Sequence, residues 1–211
     1  VLVELLRNHR EYGLMGQLAE AVSRRDPKDA KNRRLYAQYL IDTGKATAAI
    51  DLLQPLTRRL PTEDPEFGEA TGLLGRAYKQ IFFDAGDKAS AGAREALKKA
   101  IVTYRSPYEK DRNNTWHGVN LVALLTRARA LGVRTAPDLD PRAMAQDLVK
   151  ALQSAPAEKR DEWFLPTLAE ASLGLRDWDV IERNVREYVT AKDTRAFQIA
   201  STLRQFTEVW D

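Results

Sequence analysis

Cysteine is absent from the 211 residues. Its absence excludes disulfides, zinc sites built on thiolates and thiol nucleophiles. It fits a reducing, cytoplasmic setting. Histidine occurs twice, at His9 and His117, and neither has a second histidine four residues on. No helical metal pair can form, and no metal or cofactor is expected. The sequence has no Gly-Lys-Ser/Thr phosphate loop and no Gly-x-Ser-x-Gly elbow, so no catalytic residue is nominated and no enzyme is expected. No apolar run approaches the roughly 18 residues of a membrane span, and no signal peptide is visible; no membrane partner is expected. Charge of one sign is missing as well. Lys plus Arg number 33 against 30 for Asp plus Glu, a net +3. The basic pairs Arg24-Arg25, Arg33-Arg34 and Lys98-Lys99 read as solvated helix faces. Nucleic acid would call for a concentrated basic stripe, which this even mixture does not supply.

What is present is helical periodicity. Val, Ile and Thr form no alternating run, while apolar residues recur at three- and four-residue spacing. Val1 to Arg7 reads as the end of a helix begun upstream, and the chain is expected to be a segment of a longer protein. Glu11 to Arg25 places Leu14, Met15, Leu18, Ala21 and Val22 on one face and stops before Pro27. A hairpin turning at Gly44 puts Ala37 and Leu40 in its first helix and Ala49, Leu53 and Leu56 in its second. Pro55 sits inside that second helix and predicts a kink. Asp64-Pro65-Glu66 is a cap, an N1 proline and an acidic first turn, opening a hairpin that reaches Tyr104. Ser106 to Asn114 reads as a loop. Asn113 or Asn114 caps a helix ending at Gly132, and Asp140-Pro141 starts another through Gln153. A last hairpin spans Asp161 to Lys192, and a final helix Thr194 to Trp210 has a wide apolar surface suited to capping a stack or meeting another domain.

The hairpin from Asp64 to Tyr104 carries a repeat signature in both of its helices. Leu74-Gly75-x-x-Tyr78 and Ala93-x3-Leu97-x2-Ala100 have the spacing of the two helices of a tetratricopeptide repeat. The helices of that hairpin stand several residues further apart than a repeat of about 34 residues allows, and the excess falls at Asp84 to Lys88. The fold expected is all-α: a tetratricopeptide-like α-solenoid of about eleven stacked antiparallel helices, with residues 1–211 as a single domain. The aromatic residues Tyr78, Tyr104, Trp116, Trp163 and Trp178 are expected in or near the core.

The string Thr71-Gly72-Leu73-Leu74-Gly75-Arg76-Ala77-Tyr78-Lys79-Gln80-Ile81 resembles one typical of the TRAF-binding, tetratricopeptide-like regulatory region of apoptosis signal-regulating kinases and of its bacterial sensor relatives. A second string, Trp116-His117-Gly118-Val119-Asn120-Leu121-Val122-Ala123-Leu124-Leu125, is similar to another in that group. The bacterial version is the nearer in style. The resemblance implies a regulatory solenoid that controls an effector domain, kinase-like or protease-like, in signalling or defence, with a nucleotide-derived signal among the ligands proposed for the bacterial members. No kinase domain lies in this sequence, so kinase activity does not carry over.

In such stacks the first helix of each hairpin lines the concave surface. Setting Gly75 at the eighth repeat position places Arg76, Lys79 and Gln80 there; setting Ala37 there adds Arg34 and Gln38. His117 and Asn120 follow from the next hairpin, and Trp163 and Glu170 from the last. The candidate groove therefore has Arg34, Arg76 and Lys79 as cations, Gln38, Gln80, His117 and Asn120 as hydrogen-bonding groups and Trp163 as a stacking surface. It suits an anionic partner, either an acidic peptide or a phosphorylated small molecule. The expected role is a non-catalytic sensor that binds a protein partner or anionic ligand and controls an effector. The alternative is a purely structural scaffold. Arg76 and Lys79 could then pair with acids across the groove, and Asn120 could bond a nearby carbonyl. Glu66, Glu69 and Glu95 read as ordinary surface carboxylates.

Overall fold

The computed structural model describes Leu2–Trp210. Val1, expected to open the first helix, lies outside the described residues. Eleven α-helices follow one another in that span, and no strand occurs among the described residues. They are α1 (Leu2–Asn8), α2 (Tyr12–Arg25), α3 (Ala30–Asp42), α4 (Ala46–Arg59), α5 (Pro65–Asp84), α6 (Ala91–Lys110), α7 (Thr115–Ala130), α8 (Pro141–Gln153), α9 (Phe164–Leu173), α10 (Trp178–Thr190) and α11 (Ala196–Gln205). A π-helical turn, Phe206–Trp210, continues α11. No described helix is long and apolar enough to cross a membrane.

The helix starts are written in short polar side chains. Asp29, Asp64, Asn114, Asp140 and Asp177 each accept a hydrogen bond from an amide of the first turn they precede. Several helix ends share one closure. At α3 the Lys45 amide reaches back to the Leu40 carbonyl at 2.7 Å and Gly44 to Ile41 at 3.0 Å. Gly44 has φ +77. The same two-bond closure ends α7, where Gly132 has φ +62. It also ends α1 and α9, but there Arg10 (φ 61) and Arg176 (φ 60) hold the left-handed position. Helix α5 departs from the pattern. It runs for 20 residues and gives way to extended backbone at Ala85. That long helix and the loop after it account for the excess seen in the sequence.

The chain forms two compact units, one reaching to Thr103 and the other beginning at Tyr104. In the first, α1 packs on α2, α2 on α3, and α3 on both α4 and α5. Val3, Met15, Ala19 and Leu35 form a core flanked by Leu6, Tyr12, Leu18, Tyr36 and Tyr39. Gln54 donates to the Tyr78 hydroxyl at 2.6 Å and ties α4 to α5. In the second, α7 packs on α8 and α9, α8 on α9, and α9 on α10. Leu121, Leu124, Leu125, Ala145 and Leu148 fill its interior.

Several expectations need correction. The 106–114 segment is not a loop: α6 continues through Pro107 to Lys110. Tyr104 and Tyr108 are fully buried on either side of that proline, and their packing outweighs one lost backbone bond. Leu14 is exposed, because the buried row of α2 is Met15, Gly16, Ala19 and Ser23, rotated by one residue. Trp178 is 65 % exposed. It stands at the first turn of α10, ahead of the buried row Ile181, Asn184 and Tyr188. Arg34 is not on a solvated face but buried.

Candidate functional site

In the first unit the first helices of successive hairpins, α3 and α5, lie side by side and join through charges. Arg34 of α3 donates from Nε to Glu66 of α5 at 2.5 Å, with Glu69 3.9 Å from its Nη1. Arg76 of α5 donates to Asp42 of α3 at 2.5 Å. The paired residues stand 32 and 34 apart in sequence, so the two helices run parallel at the pitch of the repeat. The Asp42 side chain is 2 % exposed and that of Arg76 12 %. Glu66 is therefore not an ordinary surface carboxylate; it holds Arg34, which burial alone would make costly.

Three further groups complete this face. Arg7 of α1 is half-buried. Burial, and then the nearby positive charge of Arg34, hold its guanidinium below its ordinary pKa. Gln38, between Arg34 and Asp42 on α3, is 6 % exposed. Lys79 is buried on α5 one turn after Arg76, rather than extended into solvent. Gln80 bonds Asp84 along its own helix at 2.8 Å. The face thus brings together Arg34, Gln38, Arg76 and Lys79, and leaves Gln80 to one side.

The second unit holds the other candidates. His117 is 1 % exposed. Its Nδ1 lies 2.7 Å from the Asn114 carboxamide oxygen that caps α7. Tyr104 and Trp116 meet its ring edge-on at 5.7 and 5.1 Å. It is a core residue of the helix start, not a groove ligand as the sequence suggested. Asn120 donates to the Trp116 carbonyl at 2.9 Å and accepts from Gln205 at 3.3 Å. Trp163 is half-buried at the N-cap of α9 and meets Phe197 of α11 edge-on at 6.4 Å. Glu170, buried on α9, accepts from Gln205 at 2.5 Å and from the Trp210 indole at 3.0 Å.

Sequence reasoning missed Asp42, Arg7, Gln205 and Trp210. The repeat pitch was the available signal for Asp42, since a carboxylate 34 residues before Arg76 occupies the equivalent place on the preceding first helix. No comparable signal marked Gln205 and Trp210. An open cleft of about 690 Å³ also exists in the first unit, lined by Gly44, Lys45, Ile81, Asp84, Ser90 and Ala93 among others. None of the candidate residues lines it. No group of three or more His, Asp or Glu side chains arranged to hold a metal ion occurs among the described residues.

Comparison with known proteins bears on the fold and the family. A solved thermophilic tetratricopeptide-repeat protein of Thermus thermophilus superposes with a TM-score of 0.66 at 17 % identity, covering 96 % of this chain and 95 % of that one. At that identity the likeness establishes the fold: an all-α, tetratricopeptide-like arrangement. No match was found among curated proteins. The family model described as Tetratricopeptide Repeats-Sensor matches residues 11–125, more than half of the chain and the whole α2–α6 region with most of α7. The chain therefore belongs to the Tetratricopeptide Repeats-Sensor family and is a module of the sensing or protein-interaction kind.

Proposed function

We propose that the α3–α5 face of the first unit binds an anionic ligand, an acidic peptide or a phosphorylated small molecule, and that binding there controls an attached or associated effector. Four charged or polar side chains, Arg34, Gln38, Arg76 and Lys79, are buried or nearly so on helices whose neighbours pack through apolar residues. The observation that carries the reading is the burial or near-burial of three cations, Arg34, Arg76 and Lys79, on this one face. Buried cations are costly unless they are paired, and an anionic ligand adds charge-assisted hydrogen bonds to such a group. The resemblance to regulatory regions of signalling kinases supports a controlling rather than a catalytic role.

The test is calorimetry of the chain against acidic peptides and a nucleotide library, repeated with Gln38→Leu and Lys79→Met. Both substitutions keep side-chain bulk and leave the Arg34–Glu66 and Arg76–Asp42 pairs in place. A ligand that binds the parent chain should lose at least tenfold in affinity to the double variant while helical content is unchanged. Equal affinity for both proteins would refute the reading.

A second reading, a structural scaffold with no small-molecule ligand, is favoured by one observation. Arg34 and Arg76 are already held by carboxylates of the neighbouring first helix. In that case no member of either library binds, and only protein partners are captured.

A further inference from the structure

In the second unit the face of α7 and α9 is covered by the chain's own last segment. Helix α11 lays Phe197 against Trp163, and the π-turn reaches α7. The contacts at its end are those of a ligand in a site. One buried carboxylate oxygen, Oε1 of Glu170, receives two donors: the Gln205 carboxamide at 2.5 Å and the Trp210 indole at 3.0 Å. The same Gln205 nitrogen also reaches Oδ1 of Asn120 at 3.3 Å. Residues five apart on an α-helix point about 140° away from each other, so Gln205 and Trp210 could not converge on one oxygen from such a helix. The π-helical turn Phe206–Trp210 closes with bonds five residues apart and stacks the two. The unusual backbone is what aims both donors at Glu170.

We propose that the α7–α9 face is a peptide-binding site, occupied in this structure by the segment Ala196–Trp210, and that it accepts in exchange a helical segment offering carboxamide and indole N–H donors to Glu170. The inference does not rest on the ligand assigned to the first unit, since it involves other residues. Three features suit the segment to exchange. Its attachment to the face is polar at the critical end. Its outer side carries Leu203, 60 % exposed, and Ile199, 38 % exposed, so a large part of its apolar surface is not committed to the face. Departure would take two donors from Glu170 Oε1 and one from Asn120 Oδ1, so the face favours a replacement of the same chemistry over water alone.

The probe is a labelled synthetic peptide with the sequence of residues 194–210. It is titrated into the parent chain and into a chain carrying Gln205→Ala with Trp210→Phe. The substituted chain should take up the peptide at least tenfold more tightly than the parent, whose own segment competes. Its amides in 196–210 should exchange hydrogen at least tenfold faster than in the parent. A peptide bearing the same two substitutions, or a chain that also carries Glu170→Gln, should lose that binding. Should the double variant fail to fold, Trp210→Phe alone removes one donor, retains the bulk of the ring system and carries the same comparison. The proposal is overturned if exchange in 196–210 is unchanged, if the segment opens without peptide uptake, or if Trp210→Phe alone unfolds α7 to α10, which would make the segment a fixed structural cap.

Discussion

Burial decides the value of each ion pair. Arg24–Glu20 and Arg186–Glu182 are exposed pairs four apart on one helix, worth about 0.3–0.5 kcal/mol each. Arg34–Glu66 is intermediate, because the Glu66 side chain is 21 % exposed. Asp42–Arg76 is the deeply buried case, and it joins two different helices. Removing one partner of such a pair leaves an uncompensated charge in the interior and costs about 3–5 kcal/mol. Asp42→Ala is therefore expected to destabilise the chain by several kcal/mol in urea denaturation, while Glu20→Ala changes it by less than about 0.5 kcal/mol. Similar small losses for both would mean that the Asp42–Arg76 contact is not maintained in solution.

Helix ends show where the sequence could be read and where it could not. Asp64-Pro65, Asn114, Asp140-Pro141, Gly44 and Gly132 act within one turn of their own position, so they were legible as punctuation. Arg10 and Arg176 were not, because an arginine gives no sign that it will hold a left-handed turn; the flanking helices impose it. The same holds for Pro107, whose usual meaning was overridden by the burial of its neighbours. Left-handed backbone costs a residue with a Cβ about 1–2 kcal/mol. Arg10→Gly and Arg176→Gly should each raise stability by roughly 1 kcal/mol, measured by thermal or urea unfolding, after the extra freedom of glycine in the unfolded chain is deducted. Asp140 offers a pH test. Its carboxylate accepts from the Ala143 amide and lies below the ordinary carboxylate pKa. A lowered folded-state pKa adds stability that is complete above the unfolded value and is lost as pH falls through the folded one. Asp140→Asn keeps a capping oxygen without titrating, so its stability profile should be flatter than the parent's on the acid side, below about pH 4.

At the scale of the whole chain, the repeat pitch was legible because it is one-dimensional, and the charged ladder between α3 and α5 follows that pitch. The cover over α7 and α9 was not, because it depends on a π-turn that breaks the helical register on which sequence reading relies. Stacked hairpins bury their surface against neighbours, so a local defect should remain local. Two glycines test this, one in each unit. A Cβ on Gly118 would come within 2.7 Å of Tyr108 and 2.8 Å of Leu148, both fully buried. A Cβ on Gly16 would come within 2.2 Å of the Tyr39 ring, which packs against the first unit's core and stacks on Tyr36. Gly118→Ala and Gly16→Ala should each cost about 1–3 kcal/mol through overpacking. In hydrogen exchange, Gly118→Ala should loosen the amides of α7, α8 and α9 and leave those of α3, α4 and α5 at parental protection. Equal loss of protection in both units would mean that the chain unfolds as one cooperative body, and a ligand bound at α3–α5 would then be coupled energetically to the segment covering α7 and α9.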